Sequence, residues 1–295
     1  MKCFYLSALI VLNSAAPGYA QFTFTPIDYP GGTLTTARSI NERGDIVGSY
    51  RVQYPRHALL IKGDGFIPLA PETILGTMWS EAFKSNNRGD VVGLYGPPDE
   101  VYGYGFLLSR SGVTTLIFPG ADLTTACGIN ESGTVVGSWS RLDEGGNTIE
   151  EHGFIWEEGD FAEVSFPADW KNTAILGIND LGEFVGVWSP DSNWDIEHGF
   201  VYSKRKFISF DVPFSGSKIT QPNDINNLGH VVGTYGDSVN LHGFLLVRTA
   251  FTSIDYPGAE QTSAWGINSA GKIVGNYHVT VGDQAPRGYL AQLDK

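Results

Sequence analysis

Four side chains with charged or amide groups stand at positions where other copies of a repeated segment carry small or apolar residues. They lie two or three residues before an Asn-x-x-Gly sequence, and they are Arg38, Lys84, Asn223 and Asp224. If these side chains meet in the fold, their mixed charges would orient a small polar ligand, so they are candidate ligand-binding residues. The competing interpretation is that they are the solvated lining of a channel.

Tryptophans form a second group of candidate ligand contacts, because a flat ring with a polar edge can stack on a sugar and still tolerate water. Trp139 and Trp188 occupy a position that is aromatic in every copy of the repeat, directly before a variable loop. Packing between neighbouring repeat units would favour an aromatic residue there as well. Trp194 lies inside a loop and outside the repeat, which makes it the stronger candidate.

Catalytic and metal-binding motifs are absent from the sequence, which has no Gly-x-Ser-x-Gly, His-Glu-x-x-His or phosphate-binding glycine-rich loop. Histidine recurs at four equivalent positions, which are His57, His152, His198 and His242. None has a second His three to five residues away, so no metal site is predicted and a structural hydrogen bond is the expected role.

Acidic loops could supply oxygen ligands to calcium, although the arrangement of an EF-hand loop is missing. Their acidic residues are Asp99, Glu100, Asp143, Glu144, Glu150, Glu151, Asp191, Asp195, Glu197 and Asp237. A solvated acidic surface is the competing interpretation. No cofactor is expected, and calcium remains an open possibility.

The first twenty residues indicate export, since Lys2, an apolar stretch and small residues up to Ala20 predict a signal peptide over residues 1–20. Its removal before Gln21 leaves Cys127 as the only cysteine, so no intramolecular disulfide is expected. Without Lys2, 18 of the 19 basic side chains remain against 32 acidic ones, a net charge of −14. Nucleic acid is an unlikely partner at that charge, and no later segment is long and apolar enough to span a bilayer. We expect a monomer that is secreted or periplasmic.

A segment built around Asn-x-x-Gly recurs six times, and its asparagines are Asn41, Asn86, Asn130, Asn179, Asn226 and Asn268. The spacings of 45, 44, 49, 47 and 42 residues fit a unit of four strands. Asn-x-x-Gly predicts a tight turn between two antiparallel strands. A variable loop, a third strand that begins with His-Gly-Phe in three copies, and a fourth strand follow.

These units predict an all-β fold, a six-bladed β-propeller of four-stranded antiparallel blades that forms one domain over residues 21–295. The segment Phe-Thr-Pro-Ile-Asp-Tyr-Pro near the N-terminus has the pattern of a fourth strand, whereas the last unit ends after three strands. We therefore predict that residues 24–29 pair with residues 287–292 and close the last blade. That pairing would remove the strand edges of an open array.

The segments GINESGTVVGSW with EHGFIW, and DINNLGHVVGTY with LHGFLL, resemble the bacterial extracellular repeats named after a His-Ala-Phe tripeptide (HAF repeats). The resemblance extends over residues 22–295. The tripeptide itself varies, because His57-Ala58 is not followed by Phe, and Tyr104 and Arg287 replace the His in the second and last units. The resemblance implies an exported repeat protein and no shared reaction or catalytic residue.

Three functions are compatible with these features. The favoured one is an exported, non-catalytic propeller that binds carbohydrate or another extracellular polymer through its loop face. A lyase or hydrolase at the channel mouth is the second, and a deep pocket with a carboxylate beside Arg or Lys would support it. An interaction scaffold for a protein partner is the third, and a flat apolar loop face would support it. Propellers host all three, so the fold does not decide among them.

Overall fold

The computed structural model describes residues 22–71, 78–96, 103–166, 172–191, 194–214, 216–237, 239–280 and 285–293. The signal peptide predicted for residues 1–20 lies outside these ranges. The named elements of the described residues are β-strands, and they form six four-stranded antiparallel sheets. None of the described segments forms a helix with the length and apolar character needed to cross a membrane. The predicted six-bladed propeller is confirmed.

The chain enters the fold through β1 (Phe22–Ile27) and then forms the blades in order. Blade 1 contains β2 (Leu34–Ile40), β3 (Ile46–Arg51), β4 (His57–Lys62) and β5 (Gly65–Pro68). Blade 2 contains β6 (Trp79–Ser85), β7 (Val91–Gly96), β8 (Tyr104–Ser109) and β9 (Gly112–Leu116). Blade 3 contains β10 (Leu123–Ile129), β11 (Val135–Leu142), β12 (Thr148–Glu157) and β13 (Asp160–Val164).

The second half of the ring repeats this order. Blade 4 contains β14 (Thr173–Ile178), β15 (Phe184–Trp188), β16 (His198–Ser203) and β17 (Lys206–Phe210). Blade 5 contains β18 (Ile219–Ile225), β19 (Val231–Gly236), β20 (Leu241–Val247) and β21 (Ala250–Ile254). Blade 6 contains β22 (Gln261–Ile267), β23 (Lys272–His278) and β24 (Arg287–Leu293), and β1 is its fourth strand.

The N-terminal strand closes the ring as the sequence predicts. β1 pairs antiparallel with β24, with Phe24 opposite Ala291 and Pro26 opposite Tyr289. The ring of Phe24 also packs edge-on against Tyr256 and Tyr289, with centroids 5.3 and 5.4 Å away. The first strand of each blade lies beside those of its two neighbours, and β22 lies beside β2, so the six blades surround a central channel.

The Asn-x-x-Gly segments form the turns between the first and second strands. In blade 5, Asn226 Oδ1 accepts hydrogen bonds from the backbone N–H groups of Leu228 and His230, both at 3.0 Å. Gly229 has a φ of 74°, a left-handed conformation that glycine adopts without steric cost. The equivalent glycine has a positive φ in every blade. The predicted turn is therefore present six times.

The same asparagines also join the blades, which the sequence does not reveal. Each side-chain Nδ2 donates to the backbone carbonyl of the equivalent asparagine in the next blade, over distances of 3.0 to 3.4 Å. The last of these bonds runs from Asn268 to the carbonyl of Asn41 and completes a cycle of six. Each buried asparagine thus satisfies its own turn and holds the neighbouring turn in place.

The third strands explain the His-Gly-Phe pattern. The phenylalanine is buried at an interface between blades, as Phe154 and Phe200 show with no exposed surface. The preceding glycine allows the next blade to approach, because a Cβ on Gly153 would lie 2.8 Å from Cγ1 of Ile175. In these three blades the histidine hydrogen-bonds to the residue directly after the fourth strand, as between His242 Nδ1 and Asp255 Oδ1 at 2.6 Å. One tripeptide therefore serves the core, the neighbouring blade and the blade's outer edge.

The cycle of asparagine hydrogen bonds can be tested with Asn226→Asp. The carboxylate keeps the acceptors of the turn but loses the donor to Asn268 and places negative charge beside its carbonyl oxygen. We expect a loss of about 1–3 kcal/mol in the free energy of unfolding, measured by urea denaturation. Gln292→Glu, an amide-to-acid change at an exposed position, should stay within about 0.5 kcal/mol of wild type. Equal effects of the two changes would contradict a stabilising role for the cycle.

Candidate functional site

A β-bulge in each first strand determines which side chains enter the channel. The register of the first and second strands shifts at the residue three positions before each turn asparagine. The bulged residues are Arg38, Phe83, Cys127, Leu176, Asn223 and Trp265. Opposite the bulge the second strand carries glycine, since a Cβ on Gly137 would collide with the carbonyl oxygen of Thr125. The backbone is thus equivalent in all blades, and only the bulged side chains differ.

All six bulged side chains line one cavity in the channel, with a volume of about 230 Å³. Lys84, Gln221 and Asp224 complete its wall. The structure therefore brings together the four polar candidates named from the sequence, Arg38, Lys84, Asn223 and Asp224. It adds a large apolar surface to them, because Phe83, Leu176 and Trp265 face the same space.

An ion pair between blades 2 and 5 crosses the channel at one end of this cavity. Lys84 Nζ lies 2.5 Å from Asp224 Oδ1, and both side chains are nearly buried. Asp224 also accepts hydrogen bonds from the N–H groups of Ile225 and Ile267. Burial raises the pKa of Asp224 above its ordinary value, although Lys84 and these hydrogen bonds oppose the change. Lys84 also lines a smaller cavity at the turn side, so the pair separates the two spaces.

A second charged group lies on the side of blades 1 and 2. The Glu81 carboxylate accepts a hydrogen bond from Arg38 Nε at 2.9 Å and one from Arg56 at 2.7 Å. Burial acts to raise the pKa of Glu81, but the two guanidinium groups outweigh it and hold the pKa below its ordinary value. The guanidinium carbon of Arg38 lies 4.1 Å from the ring centroid of Trp265 and 5.4 Å from that of Phe83. The salt bridge and the two rings together fix the position of Arg38.

Asn223 provides a hydrogen-bond acceptor that the protein leaves unused. Its Nδ2 donates to the Ala264 carbonyl at 2.8 Å and to Thr234 Oγ1 at 3.2 Å, which fixes the orientation of the amide. Its Oδ1 is buried and has no hydrogen-bond partner among the described residues. A buried, unpaired carbonyl oxygen is costly, on the order of 1–3 kcal/mol. Because Oδ1 has almost no accessible surface, a ligand in the cavity reaches it only if the side chain shifts.

Two carboxyl groups predicted to belong to a solvated acidic surface are instead partly buried. Glu197 Oε2 is inaccessible and has no partner among the described residues. Burial, reinforced by the charge of Glu151, raises the pKa of Glu197 to about 7. Burial also raises the pKa of Glu151, although Ser138 donates a hydrogen bond to it. Burial raises the pKa of the Cys127 thiol to about 12. The charge of Glu151 also raises this pKa, whereas Arg38 lowers it. Glu151 therefore acts electrostatically on a residue of the cavity wall.

The structure places the candidate tryptophans away from the cavity wall. Trp139 is 7% exposed, and its ring stacks on Phe118 and on His152. Trp188 stacks on His198, and its Nε1 donates to Ser209 Oγ at 2.9 Å. Trp194 is half-buried in the loop between β15 and β16, with a φ of 59°. Ligand contact by these three residues stays a prediction, and the rings of Trp139 and Trp188 pack within the protein.

Two of the acidic loop residues, Asp143 and Asp237, hold their own loops together. Asp143 Oδ1 accepts N–H groups from Gly145 and Asn147, and Asp237 Oδ1 does the same for Val239 and Asn240. Within the described ranges, no group of three or more His, Cys, Asp or Glu side chains is arranged to hold a metal ion. The predicted loop residues Asp99 and Glu100 lie outside those ranges.

Several site residues were not among the candidates from sequence. Trp265 and Phe83 lie three residues before a turn asparagine, as Arg38 and Asn223 do. This shared position in the repeat could have identified them as cavity residues from the sequence. The role of Arg56 had no such signal, because its pairing with Glu81 joins adjacent blades. Glu151 and Glu197 directly precede the repeated histidines, but only the fold shows their burial.

The ion pair across the channel predicts a large effect of Lys84→Met. The substitution leaves the buried Asp224 carboxylate without its cation, and we expect a loss of about 3–5 kcal/mol in the free energy of unfolding. Adding Asp224→Asn should recover part of this loss, because it removes the unpaired charge and keeps an acceptor for one of the two backbone N–H groups. Urea unfolding of both variants measures the effect. A Lys84→Met protein as stable as wild type would contradict the pairing.

Glu197 predicts a specific dependence of stability on pH. Its folded pKa of about 7 exceeds the ordinary 4.5, so the folded state keeps a proton that the unfolded state releases. Stability should therefore fall as pH rises through this window, and Glu197→Gln should remove the loss. We expect the variant to exceed wild type by roughly 2–3 kcal/mol at pH 8 and to match it at pH 4, measured by urea unfolding. Glu144→Gln, at an exposed position, should show no such trend; a flat difference for Glu197→Gln would refute the assignment.

Comparisons with known proteins support the fold. No protein-family model matches the chain, and no curated protein matches it in sequence. A gluconolactonase from Xanthomonas campestris is 10% identical with a TM-score of 0.53, over 92% of this chain and 90% of that one. The β-propeller domain of the Trilobed protease from Pyrococcus furiosus is 11% identical with a TM-score of 0.50, over 88% and 95%. The Aleuria aurantia lectin in complex with α-methyl-L-fucoside is 10% identical with a TM-score of 0.50, over 90% and 93%. At these identities the chain shares their β-propeller fold, and the similarity shows the fold alone.

Proposed function

We propose that this protein is an exported, non-catalytic propeller that binds a small polar ligand of the carbohydrate class in its channel cavity. The observation that carries the proposal is a cavity whose wall combines the ring of Trp265 with the polar side chains of Arg38 and Gln221. Guanidinium and amide groups hydrogen-bond to sugar hydroxyls, and an indole ring packs against the apolar face of a sugar. A few fixed polar groups among apolar walls are typical of ligand sites.

The size of the cavity supports a small ligand over a polymer inside the channel. Its volume of about 230 Å³ is below the roughly 300–1,000 Å³ of pockets for drug-sized ligands. The Lys84–Asp224 pair also limits the depth that a ligand can reach from the loop side. A longer glycan would place one unit here and extend over the loop face, where Trp194 lies. Trp139 and Trp188 belong to this face in the proposal, although their rings pack within the protein.

Export and family remain parts of the proposal. The signal peptide predicted for residues 1–20 supports a secreted or periplasmic location, and the resemblance to His-Ala-Phe repeats points the same way. A sugar-class ligand is consistent with the propeller of the Aleuria aurantia lectin, which is in complex with α-methyl-L-fucoside. We propose that the protein acts as a monomer, with an extracellular glycan or a small polar compound as its partner.

An enzyme of the lyase or hydrolase class is the second candidate, because the cavity does contain a carboxylate beside a lysine. Asp224 is nevertheless occupied by Lys84 and two backbone N–H groups, so it is not free to accept a proton from a substrate. The binding function therefore fits the cavity better. Turnover of a bound sugar, detected by chromatography after prolonged incubation, would favour the enzyme.

The channel site can be tested with the mature protein, residues 21–295, and a panel of monosaccharides and short glycans in isothermal titration calorimetry. Trp265→Ala should weaken any detected binding at least tenfold, about 1.4 kcal/mol, because the cavity loses its largest apolar surface. Tyr54→Ala removes an aromatic residue that is 77% exposed and should leave the affinity unchanged.

Trp194→Ala separates the channel from the loop face. Retained binding in this variant, together with loss in Trp265→Ala, supports the channel. The opposite pattern places the ligand on the loop face and overturns the proposed site. Absence of binding across the whole panel contradicts a carbohydrate ligand.

A further inference from the structure

We propose that the ligand of the channel cavity carries a carboxylate beside its hydroxyl groups, so that the site selects a small hydroxylated acid over a neutral sugar. A hexuronate, which is a sugar with one carboxylate, is the size-matched example. The inference rests on the proposed function, because it names the ligand class of the same site. It follows from the donors, the charge and the acceptor that the cavity presents.

Arg38 supplies the donors. A guanidinium has five N–H groups, and the Glu81 carboxylate engages Arg38 through Nε. The Nη groups have no hydrogen-bond partner among the described residues, and the side chain lines the cavity at 20% exposure. Trp265 and Phe83 hold the guanidinium on this wall, at 4.1 and 5.4 Å from their ring centroids. A planar donor group fixed in this way matches the two oxygens of a carboxylate.

The charge around the cavity leaves one cation uncompensated. Lys84 and Asp224 neutralise each other across the channel. Arg38 and Arg56 share the single carboxylate of Glu81, so this cluster carries one net positive charge. Arg56 is 44% exposed and is solvated, whereas Arg38 is mostly enclosed. An enclosed cation without a full counter-charge favours an anionic ligand, because the anion restores the balance where water is scarce.

Two carboxyl groups on the opposite side of the channel repel an anionic ligand, but less strongly than two full negative charges would. Glu151 and Glu197 belong to blades 3 and 4, and Glu151 acts on Cys127 in the cavity wall. Burial raises the pKa of Glu197 to about 7, so this carboxyl group carries less than full charge at neutral pH and repels an anion less. Burial also raises the pKa of Glu151 above its ordinary value.

Gln221 adds a hydrogen-bonding group that a simple carboxylate does not use fully. Its side chain lines the same cavity, and an amide both donates to and accepts from hydroxyl groups, so we expect the ligand to carry hydroxyls as well. Trp265 favours an apolar face on the same molecule. A ligand with a carboxylate at Arg38, a hydroxyl at Gln221 and a ring face on Trp265 satisfies all three groups.

The test compares D-glucuronate and D-galacturonate with D-glucuronamide, D-glucose and D-galactose by isothermal titration calorimetry on the mature protein at pH 6.5. We expect at least one uronate to bind tenfold or more tightly than its neutral counterparts, with an affinity that falls as salt is raised. Equal or tighter binding of the neutral sugars overturns the carboxylate and leaves the proposed function intact. If no compound binds, the proposed function itself fails.

Arg38→Gln assigns the selectivity to its residue. The variant should lose tenfold or more in uronate affinity and little in affinity for D-glucuronamide, so that the preference for the acid disappears. Arg88→Gln is the matched control, since it removes an arginine that is 51% exposed, pairs with Asp90 and lies outside the cavity wall; its preference should change less than threefold. Persistent selectivity in Arg38→Gln overturns the assignment. If Arg38→Gln does not fold, the wild-type comparison of uronate with uronamide still decides the proposal.

Discussion

A closed cycle of hydrogen bonds between asparagine turns joins the six blades at one end of the channel. Each asparagine Nδ2 donates to the carbonyl of the next turn, and the cycle ends where it began, at Asn41. Because every turn is tied to its neighbour, the first strands keep one spacing and one height around the axis. The positions of all channel-lining side chains follow from that constraint. The pairing of β1 with β24 is the other half of the closure, since it completes the last blade.

The bulges convert this symmetric frame into an asymmetric cavity. Every blade repeats the same backbone irregularity with a glycine opposite it, and the extra residue faces the channel in each case. The repeated backbone does not dictate the type of that residue, because its side chain lines the cavity in every blade. The bulge position therefore holds a different residue in each blade, namely arginine, phenylalanine, cysteine, leucine, asparagine and tryptophan. Function can vary at these six positions while the interfaces between blades remain unchanged.

The charges inside the channel divide into those that stabilise the fold and those available to a ligand. Lys84 and Asp224 satisfy each other and two backbone N–H groups, so they act as a cross-channel brace. Arg38 is positioned by Glu81 and Trp265 but retains unused donors, and Gln221 adds an amide group to the same cavity wall. Enclosed polar groups are usually paired, so unused donors on a cavity wall indicate a ligand more strongly than the charges alone.

The sequence alone determined the architecture. Six copies of Asn-x-x-Gly fixed the number of blades, and a fourth-strand pattern at the N-terminus predicted the closure between β1 and β24, because turn chemistry and strand periodicity are local properties. Comparison of the copies also named Arg38, Lys84, Asn223 and Asp224 as exceptions. Only the tertiary structure decided what those exceptions do. The pairing of Lys84 with Asp224 joins residues 140 positions apart, and the contacts of Arg38 with Glu81 and Trp265 join three blades. The structure also distinguishes two tryptophans: Trp139 packs against its neighbours, whereas Trp265 lines the cavity. The sequence does not show this difference, because the burial of a side chain depends on all six blades and not on any one repeat.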